Sequence, residues 1–181
     1  MQITLNAQDF LIHQLFLATQ DDKVRRTRLR NRLLIPIVFN GLAFICVWFN
    51  HPLISIVLFM MAIVWLVIYP IYDRRQYKAT YLQQIQTNHQ NEFEQPTQLS
   101  IQNQFLNIKD HKGSFDTPLN QIAAVTKLKT HYFISFHSGH SLIIPQCLQN
   151  GKLNPELDAF IEQLLTVGKL GITDNTKWKW K

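Results

Sequence analysis

Two charge-free apolar runs, separated only by Asn50-His51-Pro52, constrain this chain more than any other feature. Leu33–Phe49 and Leu53–Tyr69 each hold 17 residues, of which 11 are Leu, Ile, Val or Phe. As a helix rising about 1.5 Å per residue, each covers about 25 Å, close to the hydrocarbon thickness of a bilayer. Near the membrane centre those side chains contribute roughly −0.3 to −0.6 kcal/mol apiece, or about −3 to −7 kcal/mol per helix before polar corrections. A chain of 181 residues is too small to surround two such helices with a soluble core. The pair predicts an integral membrane protein with a transmembrane helical hairpin over 33–70, its helices at 33–49 and 53–69.

Charge gives the hairpin an orientation. Lys23, Arg25, Arg26, Arg28, Arg30 and Arg32 crowd into ten residues before the first run, and Arg74, Arg75 and Lys78 follow the second. The connection carries no Lys or Arg. The positive-inside bias then predicts a multi-pass protein of the inner (cytoplasmic) membrane with both termini in the cytoplasm. Read alone, KVRRTRLRNR could be a nucleic-acid patch. Its place at the membrane boundary makes topology and anionic lipid attraction, about 1 kcal/mol per basic residue, the economical account, so no nucleic-acid partner is expected. Residues 1–22 lack the basic, apolar and small-residue regions of a signal peptide, and the first run is expected to act as its own uncleaved insertion signal.

Within the two apolar runs Asn40 is the only strongly polar side chain. Counted outward from His51, Asn40 and Ala62 are equidistant, so an antiparallel hairpin puts them at one depth. Gly41, Ala43 and Ala62 would allow close helix approach there, with Asn40 bonded within its own hairpin or to another protomer. Ionisable residues of a transport pathway are missing from both runs.

The remaining sequence is polar. Gln2 to Leu5 alternates as a short strand does, and Asn6 with Asp9 opens an amphipathic helix from Ala7 to about Gln20. Residues 1–32 are therefore a cytosolic strand, helix and basic flank. A polar helical extension and connector covers 71–95. From Gln98 the period becomes two: strands are predicted around Leu99–Ile101, Phe105–Ile108, Ser114–Thr117, Gln121–Lys127, Tyr132–His137 and His140–Ile144, with Pro145 stopping the last. Ser138-Gly139 makes a hairpin turn. Asn154-Pro155 starts a helix whose Leu157, Phe160, Ile161, Leu164 and Leu165 share one face. Strands followed by a closing helix resemble a pleckstrin-homology-like (PH-like) barrel over 96–181.

The arrangement resembles the YcxB-like proteins, a bacterial family with two membrane helices and a cytosolic C-terminal domain. The short strand and helix before a basic stretch carry the likeness, as do the exit Tyr69-Pro70-Ile71-Tyr72-Asp73-Arg74-Arg75 and the run Pro118–Leu148 with its Ile, aromatic-strand, Ile-Ile-Pro order. The chain departs from the family at Leu119, where Trp is frequent, and at Gln146 and Cys147, where basic residues follow the proline. The family implies the fold and supplies no chemistry.

Paired carboxylates, a nucleophile elbow and a Gly-rich phosphate loop are missing from the sequence, so no enzymatic activity and no cofactor are expected. His137, His140 and Cys147 could approach one another, but zinc takes three or four ligands, and solvated polar residues are the preferred reading over a metal site. Lys177-Trp178-Lys179-Trp180-Lys181, if extended, puts both Trp on one face and Lys on the other, a form suited to a lipid interface. Together these features predict an α+β membrane protein: a transmembrane hairpin plus a cytosolic PH-like antiparallel barrel or sheet closed by a C-terminal helix. Its expected role is binding a protein partner or lipid headgroup, with Arg25, Arg26, Arg28, Arg30, Arg32, Arg74, Arg75, Trp178 and Trp180 at the lipid interface. The alternative is a subunit of an oligomeric transporter or channel.

Overall fold

A computed structural model describes residues 1–88, 93, 95–111, 113–148 and 152–180. The fold is α+β, with two long apolar helices and two mainly antiparallel sheets. Its elements run β1 (Gln2–Thr4), α1 (Ala7–Gln20), α2 (Asp22–Trp48), α3 (Pro52–Asn88), β2 (Pro96–Gln102), β3 (Phe105–Asp110), β4 (Gly113–Pro118), β5 (Ile122–Lys127), β6 (His131–Phe136), β7 (Ser141–Pro145), α4 (Leu157–Gly168) and β8 (Ile172–Asp174). Residues 1–13 and 84–179 form one compact unit; residues 14–83 form the other, together with Trp180.

In the unit containing the sheets, β1-β2-β3-β4 make one sheet and β7-β6-β5-β8 the other. The β2–β3 loop is Asn103-Gln104, both with positive φ (49° and 66°), the conformation of a primed turn that matches strand twist. Gly139 (φ 85°) serves the β6–β7 hairpin, where the amide of Gly139 donates to the Phe136 carbonyl. Pro96 opens β2, a position where a missing N–H is tolerated.

One core joins both sheets: Ile3, Leu99 and Leu106 from the first, with Val125, Ile134 and Ile144 from the second. Leu157, Phe160, Ile161 and Leu164 of α4 complete it at the predicted helical spacing. The helix starts at Leu157 rather than Pro155, while Asn154 Oδ1 accepts from the Glu156 amide ahead of it. β6 is buried on both faces, because its Phe133 meets His13 of α1 with ring centroids 4.9 Å apart.

One expectation is narrowed and one corrected. Of the expected barrel or sheet, the described residues form two open four-stranded sheets around a shared core, neither closed on itself. Pro145 ends β7 but not the sheet, since β8 returns to pair parallel with β5, Val125 opposite Ile172. His111-Lys112-Gly113, whose residue types predict a turn, lies partly outside the described residues, though the Gly113 amide donates to Asp110 Oδ1 beside it.

In the other unit, α2 extends unbroken from the basic flank to the turn, and α3 from the turn far past the second apolar run. Asp21 caps α2, its side chain accepting from the Lys23 amide at 2.7 Å. Asn50 takes a left-handed conformation (φ 58°), and the His51 amide closes onto the Cys46 carbonyl. Pro52 then occupies the first turn of α3, where its missing N–H costs nothing. Both helices are long and apolar enough to cross a membrane, and only 11% and 6% of their most apolar stretches is buried.

Candidate functional site

The charged base of the hairpin is the most organised polar site in its unit. Arg28 of α2 and Asp73 of α3 face each other, Arg28 Nε donating to Asp73 Oδ2 at 2.6 Å. The Tyr69 hydroxyl donates to the other carboxylate oxygen at 3.3 Å. Tyr69, Asp73, Tyr77 and Tyr81 recur every four residues, so one face of α3 presents them as a stripe. The Arg28 guanidinium lies 5.4 Å from the Tyr77 ring centre and 4.5 Å from that of Trp180. Such distances permit cation–π attraction on both rings.

The residues expected at the lipid interface therefore divide. Arg25, Arg26, Arg30, Arg32, Arg74 and Arg75 are exposed around the two helices. Arg25 pairs with Asp22 on its own helix, and Arg32 reaches the Leu66 carbonyl at 3.5 Å. Arg28 is instead held in the hairpin base, and Trp180 stacks on it. Lys177 and Lys179 are exposed while Trp178 and Trp180 are half-buried, the alternation of an extended tail.

Higher in the hairpin, Asn40 Nδ2 donates to the Pro36 carbonyl at 2.8 Å, within its own helix. Ala43 and Ala62 are buried in the hairpin, as small residues at a helix contact should be. Gly41 corrects the expectation of close approach: a Cβ there would meet nothing within 4 Å.

The unit containing the sheets holds a second polar cluster that local sequence does not announce. Asn6 Oδ1 accepts from the Asp9 amide, and Asp9 Oδ2 accepts from that of Asn6, a reciprocal cap on α1. Asp9 Oδ1 also accepts from His131 Nε2 at 2.9 Å, in a buried contact 122 positions apart. The Thr130 hydroxyl lies 2.8 Å from His131 Nδ1, so both ring nitrogens are engaged. His13 stands nearby with Nε2 buried and unpaired among the described residues. Burial, and secondarily the neighbouring His131, pushes its pKa down to about 4.

A cleft of about 270 Å³ opens in the same unit, floored by Leu5, Phe10, Ile108 and Leu142 with Asp110 and Ser141 among its polar groups. It borders β7. Hydrogen bonds Phe136 N to His140 O and Gln146 N to Thr130 O fix the even-numbered residues as those bonded to β6. The backbone groups of Ser141 and Ile143 consequently point away from β6. His137 and His140 sit at the β6–β7 turn, and no three His, Cys, Asp or Glu side chains gather into a metal-sized group among the described residues. Comparison of the chain with protein-family models, with curated proteins and with solved structures finds no significant match.

Proposed function

We propose that this chain is an integral protein of the bacterial inner membrane, of YcxB-like type, whose hairpin anchors a PH-like cytosolic binding module. The observation that carries the reading is the outer surface of the hairpin, where Phe44, Trp48 and Leu53 are 72%, 78% and 78% exposed amid many similar neighbours. An apolar surface of that extent is not sustained in water. Nine Lys and Arg flank it and none lies in the connection, which supports both termini being cytoplasmic. The shared core of two sheets and α4 supports the PH-like assignment. The edge of β7, unpaired among the described residues and beside an apolar cleft, suits an extended protein segment, added as a further strand. The exposed arginines suit anionic headgroups.

The membrane reading is tested by alkaline carbonate extraction of the full chain, with labelling of cysteines placed at His51 and at Lys177. Retention in the pellet, with residue 51 labelled only from outside, is expected; release into the supernatant overturns it. The binding role is tested by affinity capture from native membranes in mild detergent. A reproducible stoichiometric protein, or enrichment of an anionic lipid, supports it, and recovery of the chain with neither argues against it.

A further inference from the structure

The two long helices meet along a seam on α2 that includes Pro36, Phe39, Ala43 and Cys46, all at least half-buried and spaced three and four apart. A second stripe with the same kind of spacing is left open on that helix. Leu33, Ile37, Asn40, Phe44 and Val47 step four, three, four and three. All are exposed, Ile37 and Phe44 at 67% and 72%. A 3.5-residue repeat is the pattern by which one helix lies along another in a left-handed crossing.

At the middle of this stripe stands the only strongly polar side chain of the two apolar runs. One N–H of the Asn40 amide is used on the Pro36 carbonyl. Lipid chains offer nothing to its oxygen or its second N–H. A carboxamide is self-complementary, since it donates and accepts in the same plane. Two copies inserted with the same orientation run α2 parallel to α2, which sets every stripe residue opposite its own counterpart.

We propose that this chain pairs with a second copy of itself along Leu33, Ile37, Asn40, Phe44 and Val47, the two Asn40 amides bonding each other across the two-fold axis. The contact is isologous and closes at two copies. A single polar residue in an apolar heptad seam fixes register and copy number, here at mid-membrane depth. This inference rests on the membrane reading above and sharpens the choice of partner to the chain itself.

The test uses the full chain in lipid vesicles, with Cys46 and Cys147 replaced by Ser. Single cysteines are placed on the stripe at Ile37 or Phe44, and off it at Val38 or Ile45. Oxidation should give disulfide-linked dimers at 37 and 44 and far fewer at 38 and 45. Asn40→Leu, which favours insertion, should require an about tenfold higher protein-to-lipid ratio for half-dimerisation, while Asn40→Gln keeps the pairing. Equal crosslinking at all four positions, a monomeric parent protein, or an unchanged dimer in Asn40→Leu overturns the proposal. Carbonate extraction of the same vesicles separates the two readings: a retained monomer defeats pairing alone, and an extracted chain defeats membrane insertion.

Discussion

Arg28 Nε and Asp73 Oδ2, 45 positions apart in sequence, meet at 2.6 Å and tie the two long helices together where their apolar surfaces end. The Asp73 side chain is 8% exposed and that of Arg28 22%. Removing either partner leaves a largely buried charge unpaired. Asp73→Ala should cost about 2 kcal/mol of stability, and the Arg28→Ala/Asp73→Ala double variant should cost less than the sum of the single ones. Thermal unfolding of the purified protein in one detergent checks both; additive losses would mean that the pair is not coupled.

Trp180 is expected to report on that same base. In a chain where Trp48, Trp65 and Trp178 are replaced by Phe, Arg28→Ala should raise acrylamide quenching of the remaining indole. Loss of the stacked cation should also cost about 1 kcal/mol. Quenching by brominated lipid that is strong in both proteins would place the ring in the bilayer instead.

His13 gives a pH dependence whose sign is fixed. Its folded pKa of about 4 lies below the ordinary 6.5, so the unfolded chain takes up a proton first as pH falls. Stability from this group is complete well above pH 6.5, declines below it, and levels off below about pH 4, a total of about 3 kcal/mol. His13→Leu should flatten the curve over that window. Denaturant midpoints measured from pH 7 to pH 4 on both proteins decide it; parallel curves would show that His13 does not carry the effect.

Leu164 is fully buried where α4 meets the shared core. Leu164→Ala should destabilise the sheet unit by about 2–5 kcal/mol while the hairpin keeps its helices. Hydrogen exchange read segment by segment checks this, with faster exchange expected in β5 and β6 and none added in α2.

The two long helices, α4 and most strands were legible because each carries its own pattern: Leu157, Phe160 and Leu164 on one helical face, Leu99 and Ile101 alternating with polar residues. β8 was not, since Ile172-Thr173-Asp174 is three exposed residues long and has no inward-facing pattern. The Arg28–Asp73 pair was within reach. These residues lie 23 positions before and 22 after His51, so the count that matched Asn40 with Ala62 would have matched them too. In the sequence Asp73 merges into the polar extension over 71–95, where nothing local singles it out. Nothing local pointed from Asp9 to His131, because their bond depends on where α1 lies against β6. Gly41 misled for a related reason: small size permits close approach, and only packing decides whether a neighbour uses it.

The strand pairing also sets an order of events during synthesis. β1 precedes both apolar helices, yet its partner β2 begins at Pro96, after those helices are complete. β5 waits likewise for residues 172–174 near the other end. The hairpin helices close through near neighbours across a three-residue turn, whereas the first and last strands are long-range closures, which form slowly. During translation β1 therefore waits for β2 while the apolar helices emerge, and neither sheet has all four strands until its distant partner has been made.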